Sequence, residues 1–278
     1  MKASGKKCLI TGAASGIGRA TALAAAARGA DLFLTDIDDA GLAAVVAAVQ
    51  RAGGRVSAHA ALDIADLAAV RRFADEVHAA HRSLDLVMNI AGISVWGPVE
   101  ELEPAHWQRV VDVNLMGPIH VIQCFIPPMI AAGRGGHLVN VASAAALFGL
   151  PWHAAYSASK FGIRGLSEVL RFDLRRHGIG VSLVCPGAVD TPLVDSVQIV
   201  GVDTSRPDVV ELRRLFRRHA VAPAAVAEAI LRGVERDRYM VFTSLDIRVG
   251  HWFQQKFALP YEWVMRRLND RLHRLRSR

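Results

Sequence analysis

A tyrosine and a lysine four residues apart, Tyr156 and Lys160, have the spacing in this 278-residue chain that most directly suggests chemistry. On a helix, positions i and i+4 share one face, so a phenol and an ammonium would lie side by side. To act as an acid and base near neutral pH, a tyrosine needs its pKa lowered from ~10 to ~7, or by ~4 kcal/mol. One unit charge about 4 Å away at an effective dielectric of ~20 supplies ~4 kcal/mol. A hydroxyl would also be needed to polarise the reacting oxygen, and Ser143 is the candidate. Taken alone, the pair is more typical of a solvated helix surface, so other motifs must support it.

A glycine-rich segment follows the first predicted strand and opens a helical pattern. It reads Thr11-Gly12-Ala13-Ala14-Ser15-Gly16-Ile17-Gly18. Glycines there permit a tight turn and close backbone approach, and the helix N-terminus offers free N–H groups to a pyrophosphate. A turn without a ligand is the alternative, but the position directly after the first strand favours a dinucleotide site.

Acidic residues end the second and third predicted strands. Asp36 lies where a carboxylate can accept hydrogen bonds from the adenosine ribose and repel a 2′-phosphate, so we expect NAD rather than NADP. No arginine follows Asp36, since Ile37 and Asp38 come next. Asp63, followed by Ile64, is either an adenine contact or the N-cap of the next helix, and the sequence leaves both open.

Small or polar residues also follow the later strands. The segment Asn89-Ile90-Ala91-Gly92 ends the fourth strand, where its small residues would let a cofactor approach the backbone. Asn114 lies within a helical pattern that disfavours asparagine, so it is expected to serve another purpose. Gly117-Pro118 predicts a bend directly after it. Pro186-Gly187-Ala188-Val189-Asp190-Thr191-Pro192 follows the sixth strand.

Short apolar runs alternate with longer helical patterns along the chain. This alternation predicts an α/β fold, a doubly wound parallel sheet with helices on both faces. The expected strands are Cys8–Ile10, Leu32–Leu34, Val56–Leu62, Leu84–Met88, His137–Val141 and Val181–Cys185. The expected helices are Gly16–Arg28, Asp38–Ala52, Asp66–His81, Pro104–Ala132 and Tyr156–His177. Ligands of such sheets bind beyond the carboxyl ends of the strands, which is the edge that all of these motifs share.

Composition excludes several classes of protein. The three cysteines lie far apart in apolar runs, which predicts buried reduced thiols and a cytoplasmic location. The chain lacks an uninterrupted apolar run long enough to span a membrane, and its early first strand leaves no room for a signal peptide. No metal site is expected, since His78 and His81 read as a helix surface. The net charge of +7 is concentrated in the C-terminal residues, so we expect no nucleic-acid partner.

Over about residues 5–245 the sequence resembles the short-chain dehydrogenase/reductase family. The motifs that carry the resemblance are Thr11-Gly-x-x-x-Gly-Ile-Gly18, Asn89-x-Ala-Gly92, Asn114, Ser143, Tyr156-x-x-x-Lys160 and Pro186-Gly187. The resemblance implies a Rossmann-type fold and an NAD(P)-dependent oxidoreductase.

The resemblance also implies a role for each residue. Tyr156 would be the acid/base, Lys160 would lower its pKa and bind the nicotinamide ribose, and Ser143 would hold the substrate oxygen. Asn114 would anchor a water in a proton relay towards Lys160. The remaining cofactor contacts would come from Gly12, Ser15, Gly16, Ile17, Gly18, Asp36, Asp63, Ile64, Asn89, Ala91, Gly92, Pro186, Gly187, Val189 and Thr191. One departure is Ile90, which stands where the family usually has a second asparagine.

We therefore expect an enzyme that interconverts a secondary alcohol and its ketone or aldehyde, with NAD preferred. The expected pocket walls are apolar, which favours a hydrophobic substrate over a polyol. They comprise Val95, Trp96, Leu147, Phe148, Trp152, Leu193, Val194, Val197 and Ile199. Some of these residues could instead pack in the core. The alternative function is a non-catalytic dinucleotide-binding or sensor protein of the same fold.

The last residues, 247–278, form a basic extension of the enzyme domain at 1–246. They hold eight basic and two acidic residues, so they carry +6 of the net charge. An amphipathic helix is predicted after Pro260, with an apolar stripe and an arginine-rich remainder. The stripe comprises Tyr261, Val264, Met265, Leu268, Leu272 and Leu275, and the arginines are Arg266, Arg267, Arg271 and Arg274. Such a helix either docks on the protein or a symmetry mate, which is the commoner pattern, or contacts a membrane peripherally. The resemblance also implies a homo-oligomer, a dimer or tetramer, because in that family the outer faces of the helices that match Tyr156–His177 and Pro104–Ala132 pair across two-fold axes.

Overall fold

The computed structural model describes residues 1–204 and 206–276, with side chains described except at positions 195, 208, 212, 213, 215, 216 and 273–276. The first half of the chain alternates strands and helices. Its elements are β1 (Lys7–Thr11), α1 (Gly16–Ala27), β2 (Asp31–Asp36), α2 (Asp39–Arg51), β3 (Arg55–Ala61), α3 (Leu67–His81), β4 (Leu86–Asn89), β5 (Val95–Trp96), α4 (Pro104–Val111), a π-helical turn (Asp112–Met116) and α5 (Gly117–Ala132).

The second half continues the alternation and ends in two helices. Its elements are β6 (Gly136–Val141), a 3₁₀ turn (Ala144–Ala146), α6 (Ala154–Asp173), a second 3₁₀ turn (Arg175–His177), β7 (Ile179–Cys185), α7 (Leu193–Ser196), β8 (Gln198–Ile199), α8 (Pro207–Arg218), α9 (Pro223–Glu235), β9 (Met240–Phe242), α10 (Leu245–Lys256) and α11 (Ala258–Arg276).

Seven strands form one parallel sheet in the order β3-β2-β1-β4-β6-β7-β9. The chain moves outward from β1 to β3 and then returns to β4 on the other side of β1. This reversal places a topological switch point between β1 and β4, where a ligand crevice is expected. The predicted doubly wound α/β fold is confirmed.

Both faces of the sheet are buried, because side chains of one strand alternate between two cores. On β2, Leu32 and Leu34 pack in a cluster with residues of α1, α2 and α9. Phe33 points the other way, into a cluster with Phe73 of α3 and Phe125 of α5. This is why the inner strands read as continuous apolar runs rather than alternating ones.

The expected helix from Pro104 to Ala132 is continuous but irregular. Its helical turns widen to π-type geometry at Asp112–Met116, just before the predicted bend at Gly117-Pro118. The segment is long and apolar enough to cross a membrane by composition alone. One face of the segment, including Val110, Phe125 and Met129, is nonetheless buried in the protein interior.

The C-terminal extension forms two helices against the body of the protein. α10 runs across the predicted boundary at 246/247, and α11 begins at Ala258, so Pro260 lies within its first turn rather than before it. A proline is tolerated there because first-turn N–H groups have no partner within the helix. Of the predicted amphipathic pattern, Arg274 and Leu275 lie outside the described side chains.

Candidate active site

Three side chains meet beyond the carboxyl ends of β6 and β4. Tyr156 and Lys160 lie one turn apart on α6, and Ser143 lies two residues after the end of β6. The Lys160 Nζ donates to the carbonyl of Val141, the last residue of β6, at 3.1 Å. This bond ties the helix to the strand end. The Ser143 side chain is hydrogen-bonded to Tyr156.

Burial shifts the pKa of both members of the Tyr–Lys pair. The Lys160 side chain is 4% exposed, and this burial lowers its pKa to about 8. Burial raises the pKa of Tyr156, and the hydrogen bond from Ser143 opposes that rise. The Lys160 Nζ lies 5.7 Å from the centroid of the Tyr156 ring. The sequence argument that Lys160 lowers the tyrosine pKa therefore left out desolvation. Desolvation favours the neutral form of each group, so it raises the pKa of the tyrosine and lowers that of the lysine.

Asn114 lies in the π-helical turn and is buried. Its Oδ1 accepts from the N–H of Ile93 at 2.8 Å, and its Nδ2 donates to the Ile93 carbonyl at 2.9 Å and to the Ser159 Oγ at 3.2 Å. The Ser159 hydroxyl in turn donates to the Tyr156 carbonyl at 2.7 Å. Asn114 thus connects the loop after β4 to α6.

Asn114 and Lys160 also face the same glycine. A Cβ on Gly92 would lie 3.1 Å from the Asn114 Oδ1 and 3.4 Å from the Lys160 Nζ. The amide and the ammonium therefore approach each other next to Gly92, where a relay between them would have to run. The water that the family resemblance implies there stays a prediction.

The glycine-rich turn between β1 and α1 has the geometry that a pyrophosphate requires. Gly12 has φ +69°, and a Cβ there would lie 2.8 Å from the Ala91 Cα. Gly16 has φ +50°, and a Cβ there would approach the Thr191 side chain to 3.1 Å. Ser15 caps α1 without a side-chain hydrogen bond, so it leaves the first-turn N–H groups open. The glycine-rich turn and the open N-terminus of α1 together fit the pyrophosphate of a dinucleotide.

A cleft of about 610 Å³ lies over the carboxyl edge of the sheet. Most of the predicted cofactor residues line it. These are Gly12, Ser15, Gly16, Ile17, Gly18, Asp36, Asp63, Ile64, Ala91, Gly92 and Thr191. The predicted site is therefore assembled from the ends of several strands, as the sheet topology requires.

The other predicted cofactor residues, which include Tyr156 and Lys160, are not among the described residues that line the cleft. Asn89 is buried below it, where its Nδ2 donates to the Asn140 Oδ1 at 2.9 Å. The Pro186 carbonyl accepts from the Ala144 N–H at 2.7 Å, and Gly187 lies against Ile247 of α10. Val189 is buried beside a backbone bridge to Val221. In this structure Asn89 and the three residues after β7 support the loops that border the cleft.

The two strand-end aspartates have different surroundings. The Asp36 carboxylate accepts from the N–H of Ala14 at 2.8 Å and from that of Asp38 at 3.0 Å, which fixes it beside the glycine turn. Asp63 accepts from the N–H of Ala65 at 2.8 Å. The N-cap of α3 is Asp66, whose side chain accepts from two first-turn N–H groups. The N-cap alternative for Asp63 was therefore wrong, and Asp63 lies on the cleft.

Sequence reasoning missed one wall of the cleft, which is a face of α4 and the π-helical turn. It consists of Ala105, Gln108, Arg109, Asp112 and Val113. Their spacing of three and four residues is that of one helix face, so the pattern was present in the sequence. Arg109 is the one basic side chain among the described lining residues, against the carboxylates of Asp36, Asp63 and Asp112.

Aromatic side chains extend from Tyr156 towards the small sheet of β5 and β8. The ring of His153 lies 6.2 Å from that of Tyr156 and 4.4 Å from that of Trp96, centroid to centroid. Burial lowers the pKa of His153, so its ring is held neutral. This run gives the side of the site next to Tyr156 an aromatic surface.

Several of the predicted pocket walls pack in the interior instead. Leu147 and Phe148 belong to a core cluster with Ile163 and Leu183, and Val95 belongs to another with Val110. Trp152 and Val197 are also buried. Of the predicted walls, Leu193 lines the cleft. The core-packing alternative thus applies to about half of the set.

A doubly wound parallel sheet with a dinucleotide-type turn and a Tyr–Lys pair at its carboxyl edge defines a nicotinamide-dependent oxidoreductase of Rossmann type. Residues 6–199 match the family model described as short chain dehydrogenase. The chain belongs to the short-chain dehydrogenase/reductase family.

Related proteins differ in what they are described as doing. The chain is 36% identical over 233 residues to a Mycobacterium tuberculosis protein described as "Probable oxidoreductase EphD", with 82% of this chain and 39% of that protein covered. It therefore spans about two fifths of the length of that relative. It is 41% identical over 191 residues to a D-threitol dehydrogenase of Mycolicibacterium smegmatis, with 68% and 72% covered.

Two solved structures of similar fold hold different cofactors. A Burkholderia phymatum short-chain dehydrogenase/reductase in complex with NAD has a TM-score of 0.83 and 31% identity, with 92% of this chain and 95% of that chain covered. A metagenomic short-chain oxidoreductase in complex with NADP has a TM-score of 0.69 and 34% identity, with 86% and 96% covered. A nicotinamide dinucleotide is thus the cofactor class of this fold and site.

Proposed function

We propose that this chain interconverts a hydrophobic secondary alcohol and its ketone or aldehyde, with NAD(H) preferred and Tyr156 as the acid/base. The observation that carries the proposal is the joining of Ser143, Tyr156 and Lys160, with the Lys160 ammonium next to Gly92, a residue of the cleft that fits a dinucleotide. A protein that only binds a dinucleotide would not need this arrangement.

Proton transfer belongs to Tyr156 in both directions. Bound nicotinamide would take up or supply the hydride at the reacting carbon. In alcohol oxidation the phenolate of Tyr156 accepts the hydroxyl proton as the carbon–oxygen double bond forms, and in reduction its phenol returns that proton to the oxygen. Burial raises the pKa of Tyr156, so the free protein holds the phenol protonated and is ready for reduction.

Lys160 and Ser143 support the charge that develops on the phenol. A unit charge 5.7 Å from the ring stabilises a phenolate by about 3 kcal/mol at an effective dielectric of ~20. The Ser143 Oγ accepts a hydrogen bond from the Ala145 N–H at 3.1 Å, which fixes the side chain. From this position the hydroxyl can also bond the substrate oxygen. Asn114 holds the loop of Ile93 in place below them.

Preference for NAD(H) rests on the charges of the cleft. Asp36 is fixed beside the glycine turn, and two more carboxylates line the same cleft. A 2′-phosphate near Asp36 costs on the order of a few kcal/mol, or tens- to hundreds-fold in kcat/KM. Arg19, which could have offset that phosphate, is not among the described residues that line the cleft.

A hydrophobic substrate is supported by the aromatic surface of Trp96 and His153 next to Tyr156. The D-threitol dehydrogenase among the relatives acts, by its name, on a polyol, so the substrate test must include polyols. We further propose that the protein is a cytoplasmic homo-oligomer.

A substrate panel tests the proposal. Secondary alcohols of increasing chain length, together with short polyols including threitol, are assayed with NAD⁺ and with NADP⁺. We expect kcat/KM to rise with chain length and to favour NAD⁺. Preference for polyols would contradict the substrate class, and preference for NADP⁺ would contradict the role of Asp36. Saturable cofactor binding without turnover of any alcohol or ketone would favour the binding-only alternative.

A further inference from the structure

The outer face of α10 is apolar although it is exposed. Leu245, Val249, Trp252 and Phe253 are 72%, 52%, 55% and 37% exposed. Their spacing places them on one side of the helix. The opposite side is seated on the protein, where His251 is 8% exposed, so the orientation of the apolar side is fixed.

Exposed aromatic residues also occur at the C-terminal cap of α10 and on α11. The Phe257 ring lies 5.8 Å from that of Trp252 and 5.0 Å from that of Phe253, centroid to centroid. Trp263 on α11 is 59% exposed. We call the set Leu245, Val249, Trp252, Phe253, Phe257 and Trp263 the tail surface.

The inner face of the extension anchors the tail surface to the body. The Tyr261 hydroxyl accepts from the Gly149 N–H at 3.0 Å, and Tyr261 packs against the core cluster that holds Leu147 and Phe148. Gly250 approaches the Phe148 ring, and Ile247 lies against Gly187. The predicted docking of the helix on its own protein thus uses one face and leaves the apolar face outward.

Basic side chains lie on the same two helices as the tail surface. Among the described side chains these are Arg248, Lys256, Arg266, Arg267 and Arg271, and the Arg267 guanidinium lies 5.0 Å from the centroid of the Trp263 ring. Residues 247–278 carry +6 of the chain's net charge of +7. A contact between two identical tail surfaces would bring these like charges together, which disfavours a second copy as the occupant.

We propose that the tail surface docks on an anionic phospholipid membrane. Exposed Trp, Phe and Leu side chains beside Arg and Lys match a helix pair that lies in the headgroup region, with its aromatic groups at the acyl boundary. Lipid supplies both an apolar interior and negative charge, whereas a nucleic acid supplies charge without an apolar interior. The surface needs no substrate, so it stands independently of the proposed reaction.

Co-sedimentation of the full chain with vesicles tests this docking. We compare vesicles of phosphatidylcholine alone with vesicles of phosphatidylcholine and phosphatidylglycerol, at low and at high salt. The expected result is binding to the anionic vesicles that weakens as salt rises, because the electrostatic part is screened. Absence of binding to anionic vesicles at low salt would overturn the proposal.

Two double variants locate the contact. Trp252→Ser with Phe253→Ser is expected to weaken vesicle binding by about ten-fold or more, from the lost apolar contact. Arg267→Gln with Arg271→Gln is expected to weaken it by about five-fold per arginine. The matched controls are Val99→Ser, which changes an exposed valine elsewhere, and Arg71→Gln with Arg72→Gln on α3. Circular dichroism and thermal melting establish that every variant is folded.

Each outcome of these measurements points to one kind of partner for the tail surface. Loss of binding in both tail variants, with the controls unchanged, supports the membrane. Unchanged binding in both would place the lipid contact elsewhere and overturn the proposal. A smaller oligomer in the Trp252/Phe253 variant, without vesicle binding by the unaltered protein, would assign the tail surface to a second subunit. Capture of duplex DNA in place of vesicles would assign it to nucleic acid, and either result overturns the membrane proposal.

Discussion

At the scale of single residues, the pair joins a half-buried tyrosine, Tyr156, to a buried lysine, Lys160, and the pKa of each is shifted so that its neutral form is favoured. Burial raises the pKa of the tyrosine and lowers that of the lysine to about 8. The sequence predicted the pairing because spacing fixes which helical residues share a face. It predicted a lowered tyrosine pKa from the charge of Lys160, and that direction was wrong for the free protein, since the shifts depend on how much of each side chain the fold removes from water.

Lys160→Met tests the electrostatic support of Tyr156. At about pH 7 we expect kcat to fall roughly a hundred-fold, because about 3 kcal/mol of phenolate stabilisation is lost. Since the folded protein holds a buried charge with a lowered pKa, the same variant should resist urea at least as well as the unaltered protein. Lys160→Arg keeps the charge, so it should recover part of the activity. Near-normal kcat in Lys160→Met would show that the charge is not needed.

Asp63 shows where residue-level reasoning left two alternatives open. Two aspartates, Asp63 and Asp66, precede α3, and either could cap it by composition. The helix begins at Leu67, so Asp66 holds the cap position and Asp63 faces the cleft. Which aspartate caps the helix depends on where the helix starts, and a difference of three residues decides it. The local sequence defines helix ends less well than any other feature of a helix.

At the scale of elements, the π-helical turn was the feature that sequence could not supply. Asn114 was recognised as unusual within a helix, and Gly117-Pro118 as a bend, but a widened turn depends on the tertiary bonds to Ile93 and Ser159. The short strands β5 and β8 were missed for a similar reason. Two-residue strands pair only because the loops after β4 and β7 are brought together by the large sheet.

A buried histidine at the other end of β6 makes the sheet sensitive to acid. His137 Nε2 lies 2.8 Å from the Ser182 Oγ, whose hydroxyl donates to the Arg238 carbonyl, so Nε2 must be the donor. Burial lowers the pKa of His137 to about 4, although Asp237 opposes the shift. Below the unfolded-state pKa the unfolded chain takes up a proton that the folded protein does not, so stability falls as pH falls from about 6.5 towards 4.

His137→Asn measures that contribution. The unaltered protein is expected to lose about 2 kcal/mol of unfolding free energy from this group between about pH 7 and about pH 5. Urea denaturation at both values should show a smaller loss in His137→Asn, whatever its stability at neutral pH. His59→Asn changes an exposed histidine of β3 and should leave the difference unchanged. An equal pH dependence in His137→Asn would contradict the assignment.

At the scale of the whole molecule, the alternation of apolar runs and helical patterns was enough to predict six of the seven strands of the large sheet and the helices between them, but not α8 and α9. The edge strand β9 was missed, because its three residues, Met240–Phe242, carry too little pattern to be distinguished from a loop. The uneven charge was visible in the sequence, but the apolar face of α10 was not recognised. Its outward orientation depends on His251 and Ile247 packing on the body.

Exposed apolar residues on α6 support the proposed oligomer. Phe161, Val169 and Phe172 are 42%, 58% and 60% exposed and share one side of that helix. We expect Phe172→Glu to shift sedimentation equilibrium towards monomer, because a charge would be buried in the subunit contact. Val99→Glu introduces the same charge at an exposed position elsewhere and should not change the mass. A monomeric unaltered protein at micromolar concentration would contradict the oligomer.

The central claim is that Tyr156 carries the proton of an alcohol–carbonyl exchange. The most direct measurement compares Tyr156→Phe with the unaltered protein, by turnover of the best alcohol from the panel and by titration of NAD(H) binding. We predict turnover lost to the detection limit while the cofactor binds with nearly the same Kd, because phenylalanine keeps the ring and removes only the proton carrier. Near-normal kcat in Tyr156→Phe would contradict the mechanism.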